Sequence, residues 1–278
     1  MSLKRLLTGI IGFPIVLTIL IFANKYAIDI GMSIVAMIAI YEYSNCAKKK
    51  DIKIISWLGY FSCLLIAIVH IFNQNFILKT IVIGYPLLIF ILFLHTIFTD
   101  MKINFKDISF SLFGYLYIVG FNLFFVLIYG SETFSWNLTG KTAIWYLLFA
   151  SWGSDTVAYF IGKNFGKHKF SKVSPNKTIE GCISGILGSL IGGLIFTFCI
   201  NKNLGTTVPY YFATIFLITL SVIGQLGDFS ASVVKRYFDV KDYSNLFPGH
   251  GGMLDRIDSV IFIAPFAYLI LYLSNFVV

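Results

Sequence analysis

The stretch from Ser232 to Asp258 contains many of the few charged residues of this chain. It reads SVVKRYFDVKDYSNLFPGHGGMLDRID and lies between two apolar runs. Charged groups beside a membrane segment are costly unless they are paired, bound to a metal or exposed to water. Basic side chains bind phosphates, and carboxylates bind divalent cations. This mixture therefore suggests phosphate chemistry at a membrane surface.

Two aspartates in this part of the chain could hold a divalent ion. Asp228, Ser232 and Lys235 are spaced i, i+4 and i+7, so they share one face if the helix continues. Asp255 follows a loop that Pro248 and three glycines interrupt, at the start of the last apolar run. A divalent ion held by one or two carboxylates can bridge the attacking and leaving oxygens of a phosphate transfer.

A second basic segment precedes this one. Residues 162–180 read GKNFGKHKFSKVSPNKTIE, with five lysines and no acid before Glu180. The spacing is not that of a Walker P-loop, and a cytoplasmic loop that follows membrane topology explains the lysines equally well. Pro175 lies near the start of the next helix, where free N–H groups favour an anion.

One further carboxylate lies inside an apolar run. Asp155 is spaced i+4 from Ser151, and Tyr159 follows at i+8, so we expect all three on one helix face. A carboxylate at this depth suggests a functional site, whereas a polar seam between helices is the structural alternative.

The elements that position these residues are predicted to be membrane helices. The chain is 58% hydrophobic and has a mean hydropathy of +0.84, and a bilayer span needs about 20 apolar residues. We therefore predict an all-α integral membrane protein with about nine transmembrane helices and the active site at the cytoplasmic ends of the C-terminal helices. The predicted spans are 6–24, 27–45, 54–72, 76–98, 108–129, 142–161, 178–200, 210–228 and 256–277.

These spans suggest two regions. Residues 1–130 would form five N-terminal spans, and residues 131–278 a catalytic region of four spans with cytoplasmic loops 162–177 and 229–255. The isolated polar residues of the first region are interpreted as span-end or interfacial groups: Asp29, Glu42, His70 and His95. The glycines of the seventh span are interpreted as helix-packing positions: Gly181, Gly185, Gly188, Gly192 and Gly193.

The distribution of positive charge predicts the orientation. Of the 21 Lys and Arg residues, only Lys25, Lys79, Lys141 and Lys202 fall on the side opposite the N-terminus. Basic residues favour the cytoplasmic side, so the N-terminus and the active site are predicted to be cytoplasmic in a multi-pass protein of the cell (inner) membrane. The net charge of +8 thus reflects topology and attraction to anionic lipid, and we expect no nucleic-acid partner.

The segment 232–258 also resembles the C-terminal signature of phosphatidate cytidylyltransferases, or CDP-diacylglycerol synthases. The shared pattern is S-x-hydrophobic-K-R, four residues, K-D, a short loop, H-G-G and x-D-R-x-D. The piece SPNKTIEG at 174–181 resembles a second block of the same family, and weaker similarity extends from about Ser151 to the C-terminus.

The resemblance implies roles for individual residues. Asp228 and Asp255 would hold the metal, and they are predicted to be catalytic together with Lys235, Arg236 and Arg256. The residues expected to bind the nucleotide and phosphates are Asp155, Ser174, Lys177, Thr178, Glu180, Ser232, Lys241, Asp242, His250, Gly251 and Gly252. Apart from the resemblance, we interpret Asp258 as a partner of Arg256 and Asp242 as a partner of Lys241.

The function implied is CTP + phosphatidate → CDP-diacylglycerol + pyrophosphate, in phospholipid biosynthesis. The expected partners are CTP, the phosphatidate lipid and the bilayer, with Mg²⁺ as cofactor; a monovalent cation such as K⁺ and a homodimer are left open. One alternative is a CTP-dependent polyprenol or lipid kinase, which would transfer the γ-phosphate. Another, of a different class, is a membrane transporter of an anionic solute, with Asp155 and the basic loops as its pathway.

Overall fold

A computed structural model describes residues 3–72, 74–99, 102–171 and 173–276 of the chain. Throughout these ranges the regular structure is helical, apart from isolated β-bridges, which confirms the all-α prediction. Residue 277 of the last predicted span and Lys172 of the basic loop lie outside the described residues. The helices are α1 (Leu3–Phe22), α2 (Lys25–Ala47), α3 (Ser56–Ala67), α4 (Gln74–Phe98), α5 (Phe105–Gly114), α6 (Phe121–Gly130), α7 (Gly140–Leu148), α8 (Ser154–Phe165), α9 (Ile179–Asn203), α10 (Tyr210–Tyr237) and α11 (Leu254–Ser274).

Two pairs of helices are each joined without a break. A π-helical turn at Tyr115–Gly120 links α5 to α6, and another at Phe149–Gly153 links α7 to α8. Among the described residues, five segments are long and apolar enough to cross a membrane: Lys25–Lys50, Phe105–Gly130, Ile179–Asn203, Tyr210–Tyr237 and Leu254–Ser274. The chain is therefore a multi-pass membrane protein.

The predicted third span is shorter as a helix than expected. It forms α3, which has 12 residues and is therefore about 18 Å long, less than the hydrocarbon thickness of about 30 Å. A 3₁₀ turn at Val69–Ile71 follows it. The total of nine spans remains a prediction.

The chain divides into two compact units. The first consists of Met1–Val126 together with Phe238–Arg256, and the second of Leu127–Tyr237 together with Ile257–Val278. In the first unit, α2 packs on α3 and on the π turn that follows α5. Gly59 and Gly114 allow this approach, because a Cβ on either would lie within 2.7 Å of the ring of Tyr115 or Tyr43 respectively.

In the second unit, the glycines of α9 bring helices close together. A Cβ on Gly185 would lie 2.7 Å from Ser154 Oγ, and one on Gly188 would lie 2.4 Å from the side chain of Val157. Gly193 is similarly close to Leu217 of α10. The interpretation of these glycines as helix-packing positions is thus confirmed.

The π turn before α8 changes which residues share a face. Ser151 is buried within the turn, whereas Asp155 and Tyr159 on α8 are exposed. The prediction of a common face for these three residues is wrong for Ser151, because an i→i+5 turn inserts an extra residue into the helical register. Ser154 is buried instead, and it accepts hydrogen bonds from Ser221 Oγ and Gln225 Nε2, each at 3.1 Å.

Candidate active site

Helix α10 extends beyond its apolar part and carries the first signature residues. It is continuous from Tyr210 to Tyr237, which confirms the helix that the spacing of Asp228, Ser232 and Lys235 requires. Lys235 is buried, and its Nζ lies 4.0 Å from Oδ2 of the buried Asp258. Asp258 was predicted as a partner of Arg256, whereas in the structure it forms an ion pair with Lys235.

The carboxylate of Asp228 lies beside the basic loop. Lys177 Nζ forms an ion pair with Asp228 Oδ2, and both side chains are about one-quarter exposed. The same ammonium group lies 4.6 Å from the ring centroid of Phe229, a cation–π distance. Phe229 in turn stacks on Phe170 with ring centroids 4.7 Å apart. The structure therefore brings together two residues, Lys177 and Asp228, that the sequence predicted for the site.

The basic loop folds back on itself through backbone hydrogen bonds. Phe170 N donates to Lys177 O at 3.0 Å, and Ile179 N donates to His168 O at 2.9 Å. These bonds place Lys177 immediately before the N-terminus of α9.

The residues that begin α9 have structural partners of their own. The Thr178 hydroxyl caps the helix by accepting from Gly181 N at 3.1 Å. Glu180 Oε1 is 2.6 Å from His168 Nδ1. Both side chains thus stabilise the end of the loop that carries Lys177.

The second predicted metal ligand, Asp255, lies at the start of α11 in the first unit. Its Oδ2 accepts hydrogen bonds from Tyr243 N at 2.8 Å and Gly252 N at 2.9 Å, and the residue is 7% exposed. Gly251 has a φ of +82°, a left-handed conformation that favours glycine. A Cβ there would also lie 2.8 Å from Asp255 Oδ2, so the signature glycines approach a carboxylate of the chain itself.

Glu42 of α2 was interpreted as an isolated span-end or interfacial residue. It does lie near the end of α2, but it is not isolated. It is 2% exposed and accepts hydrogen bonds from Met253 N at 2.8 Å, Leu254 N at 2.9 Å and Ser244 Oγ at 2.6 Å. An acid within an apolar helix requires partners, and this signal was present in the sequence. Its partners lie more than 200 positions further along, so no local pattern identified them.

Asp29 and His70 are also not isolated. Asp29 is fully buried, and its Oδ1 lies 2.7 Å from His70 Nδ1. This pair explains both residues structurally within the first unit.

The remaining predicted site residues are at least partly accessible. Arg236, Lys241, Asp242 and Arg256 are exposed. Ser174, Ser232 and His250 are half-buried. Binding of phosphate oxygens, the role that the sequence predicted for Arg236, Lys241 and Arg256, remains a prediction.

The carboxylates are compatible with Mg²⁺. This ion is usually bound by one or two carboxylates, and water and substrate phosphates complete its octahedron. Within the described ranges, no three His, Cys, Asp or Glu side chains form a metal-binding group, so a site built wholly from protein is not indicated there. Asp228 offers a partly exposed carboxylate, and Asp255 offers one whose orientation the backbone fixes through Oδ2. Each of these carboxylates, taken by itself, fits an ion that is shared with phosphate.

Comparison with known proteins covers nearly the whole chain. Residues 3–274 match the model of the cytidylyltransferase family. A phosphatidate cytidylyltransferase of Bacillus subtilis (strain 168) is 32% identical over 279 residues, which cover 98% of each chain. Proteins of the same name are 34% identical in Staphylococcus haemolyticus, over 96% of this chain and 98% of the relative, and 35% identical in Staphylococcus aureus (strain COL), over 97% and 99%. The chain belongs to the cytidylyltransferase family.

Proposed function

We propose that this protein transfers the cytidylyl group of CTP to phosphatidate, forming CDP-diacylglycerol and releasing pyrophosphate. The observation that carries the proposal is the similarity, over almost the full length, to relatives named phosphatidate cytidylyltransferase. The paired and exposed cationic groups beside Asp228 and Asp255 support it, because the reactants are two anionic phosphates.

The reaction requires positioning and neutralisation of charge more than covalent help from the protein. A phosphate oxygen of phosphatidate attacks the α-phosphorus of CTP, and a new P–O bond forms. The bond from the α-phosphorus to the bridging oxygen of the β-phosphate breaks, and pyrophosphate leaves with that electron pair. Since the phosphatidate phosphate is already ionised at neutral pH, no general base is obligatory. Cationic side chains that hold the two phosphates in line would therefore provide most of the rate enhancement.

Asp228 and Asp255 would hold Mg²⁺ when it is bound, and the ion would neutralise charge on the phosphate oxygens. Lys177 supports this proposal because it is already paired with Asp228. When CTP arrives, the Lys177 ammonium can exchange this carboxylate for a phosphate oxygen without leaving the loop.

The other predicted site residues of the two units would bind substrate in different ways. Lys235 is buried on the face of α10 that carries Asp228, so we assign it to the phosphates of the reacting centre. Arg236 is adjacent and exposed, and its planar guanidinium suits the lipid phosphate. The half-buried Ser174 and His250 would contact the nucleotide, whereas the exposed Lys241 and Arg256 would contact phosphates.

A labelling experiment tests the reaction type. Purified protein is incubated with phosphatidate, Mg²⁺ and CTP labelled at either the α- or the γ-phosphate. We expect label from the α position to enter lipid and label from the γ position to appear in pyrophosphate. Entry of γ-label into lipid would instead indicate a kinase, and no transfer into lipid would indicate a protein of another class, such as a transporter.

We further propose that the active site lies on the cytoplasmic side, because lysine and arginine are concentrated in the segments on that side. A cysteine introduced beside His168 or His250 should react with an impermeant thiol reagent only from the cytoplasmic side. One introduced beside Asn137 or Asn203 should react only from outside. Reaction of both sets from the same side would contradict this orientation.

A further inference from the structure

Glu42 lies far from the signature in sequence but hydrogen-bonds directly to it. Each of its carboxylate oxygens accepts a hydrogen bond from one of two consecutive backbone N–H groups: Oε1 from Met253 N and Oε2 from Leu254 N. Leu254 is the first residue of α11, so these N–H groups have no partner within that helix. A negative charge at this end also interacts favourably with the helix dipole. Glu42 therefore caps α11 from a different helix.

Asp255 accepts a hydrogen bond from the preceding backbone N–H group of the same loop, that of Gly252. Its Oδ2 accepts from Gly252 N at 2.9 Å, while the next two backbone N–H groups point to Glu42. Two buried carboxylates thus share three successive N–H groups. The backbone that Glu42 fixes is the backbone that orients Asp255.

The backbone of Tyr243 forms hydrogen bonds both with Asp255 and with Cys46 of α2, the helix that carries Glu42. Its N–H donates to Asp255 Oδ2 at 2.8 Å, and its carbonyl oxygen lies 3.2 Å from Cys46 Sγ, which is the donor. Cys46 is one helical turn after Glu42 on α2, so both residues lie on one face of that helix. The Ser244 hydroxyl donates to Glu42 Oε1 at 2.6 Å. The end of α2 therefore binds both sides of the loop that precedes Asp255.

The second glycine of the His-Gly-Gly motif is explained by the same contact. A Cβ at Gly252 would lie 2.5 Å from Glu42 Oε2 and 2.6 Å from Oε1. Gly252 is not among the residues with positive φ, so backbone conformation does not require glycine there. The close approach of Glu42 does.

From these contacts we propose that Glu42 is a positioning residue for Asp255. By accepting from Met253 N and Leu254 N, it holds the loop in the one arrangement that directs the Asp255 carboxylate towards the ion. This inference rests on the proposed role of Asp255 as a ligand of Mg²⁺. Glu42 itself touches neither substrate nor metal in this account.

The test compares Glu42→Gln with Glu132→Gln, the same change at an exposed glutamate of the second unit. Glutamine keeps the shape but presents an NH₂ group to one of the backbone donors. We expect Glu42→Gln to lower kcat at least tenfold and to raise the Mg²⁺ concentration for half-maximal rate about tenfold. The KM for phosphatidate should stay within twofold of wild type, and Glu132→Gln should leave all three values unchanged.

A binding measurement separates this role from a merely structural one. Mn²⁺, used as a probe and titrated by electron paramagnetic resonance with CTP but without phosphatidate, should bind about tenfold more weakly to Glu42→Gln. Normal ion binding and a normal metal requirement in this variant would overturn the proposal, even if its activity fell. Failure of the proposed reaction would be distinct, because wild-type protein would then transfer no α-label.

A second pair of variants keeps the proposal testable if Glu42→Gln does not fold. Gly252→Ala places a methyl group against the Glu42 carboxylate, and Glu42→Asp shortens that side chain by one methylene. The double variant Gly252→Ala/Glu42→Asp should be at least fivefold more active than Gly252→Ala alone. The Mg²⁺ concentration that it needs for half-maximal rate should also be closer to that of the wild type. A double variant no better than Gly252→Ala would show that this contact does not position the loop, and would overturn the inference.

Discussion

In the loop Tyr243–Asp255, backbone N–H groups donate to two buried carboxylates, Glu42 and Asp255. In the loop at 162–180, the side chain of Lys177 is paired with the partly exposed Asp228 of α10. Removing the carboxylates of Glu42 or Asp255 leaves backbone N–H groups without acceptors, at a cost of about 1–3 kcal/mol for each buried group. Breaking the pair of Lys177 with Asp228 loses an ion pair worth about 0–1 kcal/mol near solvent.

This difference in energy indicates a difference in function. The hydrogen bonds that orient Asp255 come from the backbone of the chain itself, which would suit a carboxylate that is preorganised as a ligand. The contacts of Lys177 can be exchanged at little cost, which suits a side chain that must transfer from a carboxylate to an incoming phosphate.

The largest expected effects come from the two aspartates, and they should differ in stability. Asp228→Asn and Asp255→Asn should each lower turnover more than tenfold, which corresponds to more than about 1.4 kcal/mol of barrier. Only Asp255→Asn should also destabilise the protein, by about 1–2 kcal/mol, because two charge-assisted hydrogen bonds become neutral ones. Turnover and thermal unfolding in detergent measure both quantities. Equal stability of the two variants would contradict the comparison.

The next effect concerns Gly251. Gly251→Ala should destabilise the protein by about 1–2 kcal/mol through its left-handed backbone and further through contact with Asp255 Oδ2. Gly205→Ala is the matched control, since Gly205 has a φ of +66° but a Cβ there would meet no atom within 4 Å. Thermal unfolding should therefore show a larger loss for Gly251→Ala. Equal losses would mean that the carboxylate moves away freely.

A smaller and more selective effect is expected at Lys177. Lys177→Gln should raise the KM for CTP about tenfold, or about 1.4 kcal/mol of binding, with a change in stability below about 1 kcal/mol. Lys167→Gln, at an exposed lysine of the same loop, should change neither quantity. The assignment of Lys177 to the nucleotide fails if the KM for CTP is normal in steady-state kinetics.

The smallest effect is expected at Arg236, compared with its neighbour Lys235. Lys235 is buried near Asp258 whereas Arg236 is exposed, as expected for adjacent helical residues about 100° apart. Lys235→Gln should mainly lower kcat. Arg236→Lys keeps the charge but loses the planar fork, so it should raise the KM for phosphatidate a few-fold and leave that for CTP unchanged. A defect of Arg236→Lys confined to the CTP titration would refute this assignment.

Much of the second unit was predictable from local sequence. Its glycine spacing predicted close helix packing, and the spacing of Asp228 and Lys235 predicted a helix that continues past the apolar run. These features depend on neighbours within one or two helical turns. The π turn at Phe149–Gly153 was not predicted, because no residue in that stretch distinguishes an i→i+5 from an i→i+4 bond.

The organisation of the loop around Asp255 could not be read from the signature alone. The resemblance assigned Gly251 and Gly252 to the nucleotide site, and in the structure a Cβ on these residues would meet Asp255 and Glu42 respectively. The partners of Glu42 lie in a distant part of the chain, and a single acid in an apolar helix does not specify where they are. The first five predicted spans therefore looked uniform, although α2 carries a residue that shapes the signature loop.

Hydrogen exchange measured by mass spectrometry, with and without CTP and Mg²⁺, tests the contrast between the two loops most directly. We predict that the amides of Gly252, Met253 and Leu254 are protected in both conditions, because buried carboxylates already accept from them. The amide of Asn176 should exchange rapidly without ligand and become protected when CTP is added. Equally rapid exchange in both loops without ligand, or protection of Gly252–Leu254 only after CTP is added, would contradict a preorganised Asp255.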